Sequence, residues 1–221
     1  MTINDFNRNI VPTEDGSHTL YVPSIDEHYH SIHGAILEST HVFINNGLNV
    51  CTKSNITILE VGFGTGLNAL LSLIYKGNKD IQYVGIEKYP LSENEIKMLN
   101  HGFLVDNELF RQIHLCDWNK AVMISENFNL TKLHTDFLKL DFSIFPSFDL
   151  IYFDAFAPEK QEEMWQEVNF YKIAQHTSIG GIFVTYCAKG EVRRRLERCG
   201  FKMTRIPGPP GKKEMLLGKK I

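Results

Sequence analysis

One stretch constrains this chain more than any other: "ITILEVGFGTGLNALLSLIYKG", residues 56–77. Its first six residues read as a buried strand. The glycines at 62, 64 and 66 read as a tight turn, and the apolar run after them as a helix ending at Gly77. The same alternation recurs downstream. "IQYVGIEKYPLSENEIKML" is a strand, a turn and a helix, with Ser92 as N-cap and Glu95 at capping-box spacing. "FRQIHLCDW", "LTKLHTDFLKL" and "FDLIYFDAF" are further strand candidates. "EEMWQEVNFYKIAQHT" reads as a helix, "GGIFVTYCAKG" as a strand, "EVRRRLERCGF" as a helix closed by Gly200, and "EMLLGKK" as a last strand. Residues 1–50 show no firm period beyond a helix near 33–46. Strands alternating with helices predict an α/β fold with a mostly parallel, doubly wound sheet. At 221 residues the chain is read as one domain, with residues 1–50 an amino-terminal extension packing near the active site of a domain spanning 51–221.

In such sheets ligands bind beyond the carboxyl ends of the strands. The dinucleotide fingerprint G-x-G-x-x-G would need glycine at 67, where this chain has Leu67. The actual spacing, G-x-G-x-G, suits a ligand without a pyrophosphate, and S-adenosylmethionine is one. Glu60 before the first glycine is placed to take its ammonium, with Gly62, Gly64, Gly66 and Asn68 forming the rest of the turn. Glu87 at the end of the second strand suits the ribose hydroxyls. Asp136 suits the adenine amino group, with the Phe137 amide beside it. The plainer reading of Glu87 and Asp136 is that they cap the helices that follow.

Asp154 ends the strand "FDLIYFD", beside the expected cofactor site, and is the candidate catalytic carboxylate. The plainer alternative is a helix cap or an ion pair with Lys160. Phe156 and Pro158 would wall the slot, and Glu38 could reach it from the amino-terminal segment. Trp165, at helical spacing, reads as core, with base stacking the alternative. His28, His30 and His33 lack a metal-binding scaffold, and the chemistry needs no metal.

Charge is unevenly spread. Residues 189–221 carry eleven Lys or Arg against three Glu, a net of +8, and residues 1–188 net −11. A basic end of this kind fits a polyanion, or else a solvated tail. Arg193, Arg194, Lys212 and Lys213 are its candidate RNA contacts. The amino terminus has no signal-peptide pattern, no apolar run approaches a membrane span, and the four cysteines form no C-x-x-C. These features predict a cytoplasmic protein with no membrane partner.

"HGAILESTHVFINNGL", "DAFAPEKQEEMW", "GGIFVTYCAKGEVRRRLERCGF" and "PGPPGKKEML" together resemble the methyltransferase domain of the MnmC family of tRNA-modifying enzymes. The resemblance runs from about residue 20 to the end. It implies a Rossmann-like class I S-adenosylmethionine-dependent methyltransferase acting on the amine of 5-aminomethyl-(2-thio)uridine in the tRNA anticodon, with Asp154 at the chemistry. Bifunctional members carry an FAD-dependent domain. Nothing follows Ile221 here, so a stand-alone methyltransferase is expected. The residues alone also allow a small-molecule amine methyltransferase or aminopropyltransferase, or an RNA-binding protein on a vestigial cofactor fold.

Overall fold

A computed structural model describes residues 7–221. Three short antiparallel strands, β1 (Asn9–Pro12), β2 (His18–Val22) and β3 (Glu27–His28), form a small sheet of their own. Helix α1 (Ala35–Ser39) runs on into a π-helical stretch, Thr40–Leu48, close to the expected helix at 33–46.

The central sheet is built around β4 (Asn55–Val61). It is followed by α2 (Leu67–Tyr75) and then by parallel β5 (Asp80–Glu87). Next come α3 (Glu93–Met98), α4 (His101–Leu104) and α5 (Asn107–Leu115). Strand β6 (Ala121–Ser125) forms an antiparallel edge on β7 (Phe128–His134), which itself lies parallel to β5. The chain then returns to the other side of β4 as parallel β8 (Phe148–Phe153). Helix α6 (Glu167–Gln175), parallel β9 (Thr177–Thr185) and α7 (Gly190–Arg198) follow. An antiparallel hairpin, β10 (Phe201–Pro207) and β11 (Glu214–Lys220), closes the second edge through β11 against β9. The order is β10-β11-β9-β8-β4-β5-β7-β6. The mostly parallel α/β sheet is therefore as expected.

Strand alternation sorts the side chains onto two cores. Ile56 and Ile58 of β4 and Leu150 and Tyr152 of β8 face α2 and the π-helical stretch. Leu59, Val61, Ile151 and Phe153 face α6 and α7. By the same parity Glu60 and Asp154 fall on the α2 side.

The reading of residues 110–118 as a strand is overturned. They lie mostly in α5, where Asp106 caps the first turn by accepting from the Leu109 amide at 3.0 Å, and Phe110 and Ile113 are buried three apart. A helical period and a capped start outweigh the apolar run. The helix expected over 162–177 is also shorter. Glu162–Trp165 makes a single 3₁₀ turn, and extended Gln166 separates it from α6. The capping box at Ser92 and Glu95 forms as expected, and Val192, Leu196 and Cys199 are buried as one stripe. Among the described residues no helix is long and apolar enough to cross a membrane.

Candidate active site

The chain changes side between β7 and β8, so the connections leaving β4 and β8 run to opposite faces of the sheet and a crevice opens between their carboxyl ends. That is the crevice where open α/β sheets bind ligands. Val61 pairs with Phe153, and the Asp154 amide donates to the Val61 carbonyl at 2.9 Å. The acid therefore enters directly beside the glycine turn.

The turn is built from residues with left-handed backbone: φ is +91° at Gly62, +52° at Gly64 and +69° at Gly66. A Cβ on Gly64 would stand 3.0 Å from the Tyr29 ring. Thr65 is held from two sides. His30 Nε2 lies 2.7 Å from its hydroxyl, and His114 Nε2 lies 2.9 Å from its carbonyl oxygen. Burial holds both imidazoles down to about 4. His30 is thus committed to the turn, while His33 meets Glu14 and His28 packs on Tyr21. Among the described residues no group of side chains could hold a metal ion.

Over the turn lies a cavity of about 410 Å³. Glu38, Glu87, Asp136 and Asp154 line it, with Phe137, Phe156, Tyr29 and Tyr186. Glu87 accepts from the Gly64 amide at 2.9 Å and the Tyr89 amide at 2.8 Å. Asp136 caps the 3₁₀ turn Phe137–Lys139 through the Leu138 amide at 3.0 Å and pairs with Lys88 at 2.9 Å. The capping reading of Asp136 therefore holds, and its carboxylate still lines the cavity.

Glu60 is placed differently from expectation. It is fully buried and does not line the cavity, because it lies inside β4, paired with Gly85 and Tyr152, one level below the strand ends that carry Glu87 and Asp154. Asn68 connects it to the site: its Nδ2 donates to Glu60 at 2.8 Å and to Asp154 Oδ2 at 2.9 Å. Burial pushes the Glu60 carboxyl well above the usual range. The Asp154 carboxyl is pushed up to about 7, chiefly by burial and then by the negative charge of Glu38; the Asn68 hydrogen bond and Lys212 oppose this. Lys160 pairs with Asp26, not with Asp154.

Phe156 packs edge-on to Tyr29 at 5.2 Å, whereas Pro158 is not part of the lining. Trp165 is fully buried and donates to the Phe156 carbonyl at 2.7 Å, a core role that also fixes this wall. Lys212 is placed differently from the surface position expected of it. It points into the cavity, 2.7 Å from Glu38 and 3.9 Å from the Tyr186 ring centre. Arg193 pairs with Glu197 at 3.3 Å, while Arg194 and Lys213 are exposed. Sequence reasoning missed Tyr29, which carries no motif, and Tyr186. The latter follows β9 directly, so the strand-end logic that found Asp154 also reaches it.

The residues fit S-adenosylmethionine. The cradle excludes side chains, the lining is acidic around two lysines that are both already paired, and aromatic faces stand where a sulfonium would be attracted. A pyrophosphate would find no free cation among the described lining residues.

The family described as S-adenosyl-L-methionine-dependent methyltransferase matches residues 102–221. The chain belongs to that family. This methyltransferase is 28% identical over 215 residues to the tRNA 5-methylaminomethyl-2-thiouridine biosynthesis bifunctional protein MnmC of Hydrogenovibrio crunogenus, covering 88% of this chain and 31% of that one. The MnmC protein of Cupriavidus metallidurans is 30% identical over 222 residues, covering 91% of this chain and 32% of that one. The methyltransferase thus spans about a third of the length of these curated relatives. Among solved structures, MnmC2 of Aquifex aeolicus superposes with a TM-score of 0.74 at 25% identity, covering 97% of this chain and 70% of that one. The resemblance read from the sequence and the relatives found by comparison agree, and the methyl donor of the family is S-adenosylmethionine.

Proposed function

We propose that this methyltransferase methylates the primary amine of 5-aminomethyl-(2-thio)uridine at the wobble position of tRNA, giving the methylaminomethyl form. The observation that carries the reading is Asp154: a carboxylate poised near neutrality, at the strand end beside the glycine turn. The names of the relatives support the tRNA substrate.

S-Adenosylmethionine, when bound, supplies a methyl group on a cationic sulfonium. Gly62, Gly64 and Gly66 would cradle it, with Glu87 toward the ribose and Asp136 and Phe137 toward the adenine. Glu60 acts from below by holding Asn68. An alkylammonium has a pKa of about 10 in water and no lone pair until it loses a proton. Asp154 attracts the ammonium, orients it, and accepts its proton; a base near pH 7 is well matched to neutral conditions. Phe156, seated on Tyr29 and fixed by Trp165, keeps water from the slot, and the remaining acceleration is positional.

The test is transfer of labelled methyl to tRNA bearing aminomethyluridine. Label in the wobble nucleoside is the expected result. Transfer to free amines with none to that tRNA would sink the reading in favour of a small-molecule amine methyltransferase.

A further inference from the structure

The hairpin between β10 and β11 reaches back over the cavity. Its tip, residues 208–213, is folded on itself by the Lys212 amide donating to the Pro209 carbonyl at 2.9 Å and the Gly208 amide to the Lys213 carbonyl at 3.2 Å. It leans on the amino-terminal segment, where His41 Nε2 lies 2.9 Å from the Pro207 carbonyl oxygen. Gly211 has φ +83°, and a Cβ there would overlap the His33 ring. Held this way, the tip sends the Lys212 side chain inward.

The place its ammonium reaches is unusual for a surface-loop lysine. Glu38 is buried, its side chain only 8% exposed; one oxygen accepts from the Ser31 amide at 2.7 Å and the other faces Lys212 Nζ at 2.7 Å. The opposite side is the face of Tyr186, 3.9 Å from Nζ to the ring centre. The Tyr186 hydroxyl is fixed on the Ala155 carbonyl at 2.8 Å, next to Asp154 in the chain. A buried carboxylate, an aromatic face and a nearby base form a receptor for a primary alkylammonium. The only such cation the described chain puts there is its own.

We propose that Glu38 and the Tyr186 face are the ammonium subsite for the acceptor amine, and that Lys212 fills it until a substrate draws the 208–213 tip aside. Lys212 is then a specificity residue. A free small amine must displace a tethered lysine at high effective concentration, whereas a macromolecular substrate can offset that cost by contacts on the tip itself. The inference rests on the amine-methyltransferase reading above and adds how unanchored amines are kept out.

Lys212→Ala removes three methylenes and the ammonium, so n-propylammonium is the matching probe. Calorimetric titration is expected to show it binding Lys212→Ala at least tenfold more tightly than wild type. Adding Glu38→Gln should abolish that gain. Equal affinity in wild type and Lys212→Ala, or a gain indifferent to Glu38→Gln, overturns the proposal. Gly211→Ala, which pushes the tip off His33 without removing the lysine, is a second variant that should also admit the probe; exclusion from a well-folded Gly211→Ala counts against a movable tip. Wild-type methylation of aminomethyl tRNA is measured alongside. Its failure strikes the substrate reading, and probe binding reports on the subsite whatever that outcome.

Discussion

A Cβ at position 62 would stand 2.5 Å from the backbone carbonyl oxygen of Asp154. The first glycine of the turn and the proposed base are therefore a single fitted joint between β4 and β8. With φ at +91°, Gly62 is also where a side chain is strained on conformational grounds alone. Gly62→Ala is expected to move the end of β8 and loosen cofactor binding at least tenfold in a calorimetric titration. Gly77→Ala is the control. It too has positive φ, +56°, but nothing lies within 4 Å of its would-be Cβ. It should cost about 1–2 kcal/mol of stability, the penalty of a Cβ in left-handed backbone, and leave cofactor affinity intact. Equal loss of affinity in both would remove the joint from the argument.

Asp154 makes two predictions of opposite sense. In the proposed mechanism the ionised carboxylate accepts the proton, so kcat/KM should rise with pH to a plateau through a midpoint near the carboxyl's value of about 7. Asp154→Asn should lower turnover by about 10²–10⁴-fold, the range for loss of a general base. Stability runs the other way. A carboxyl whose folded value is raised contributes stability that is complete below its unfolded value, about 3.9, and is lost as pH climbs through about 7. Asp154→Asn carries no such charge. Its melting temperature should match wild type near pH 4 and exceed it at pH 8, where a value of about 7 against about 3.9 corresponds to at most about 4 kcal/mol of stability. Parallel melting curves across that window would refute the buried-charge account.

Much of this site was legible because strand ends are legible. Once β4, β5, β7 and β8 are recognised by their apolar runs, the residues that follow them can only lie at one edge of the sheet, and Glu87, Asp136 and Asp154 all line the cavity. Glu60 was harder, since it lies within the paired part of β4, opposite Tyr152, and depth along the strand decides between a cavity wall and the layer beneath it. The inward direction of Lys212 was not legible because charge counting is blind to direction. A lysine in a basic tail and a lysine aimed into a pocket have the same composition, and only the hairpin register sends this one inward. The strand reading of 110–118 failed because an amphipathic helix with one buried residue per turn mimics a short apolar run.

Asn68 gives a third prediction. One amide nitrogen serves two carboxylates, and its hydrogen bond is among the influences that hold the Asp154 carboxyl down. Asn68→Ala should therefore move the midpoint of the kcat/KM profile upward from about 7, with a smaller loss at pH 9 than at pH 7. An Asn68 that only packs would lower activity by the same factor at every pH.

The basic carboxyl-terminal segment gives the last prediction, and ion pairing narrows it. Arg198 faces Glu167 at 2.5 Å, Arg205 faces Glu214 at 3.3 Å, Arg193 faces Glu197, and Lys189 and Arg195 are paired with Glu159 and Glu191. Among the described residues Arg194, Lys202, Lys213 and Lys219 are exposed and carry no such pair. Phosphate contacts release counterions, so each contact adds about 0.7–0.9 to the slope of log K against log salt. Replacing Arg194 and Lys213 together by alanine should weaken tRNA binding and reduce that slope by between one and two. Replacing Arg198 should change it little, because its charge is already balanced by Glu167. Binding isotherms at several salt concentrations decide between them: a slope altered by Arg198→Ala and not by the double variant would put the RNA on the paired face of α7 instead.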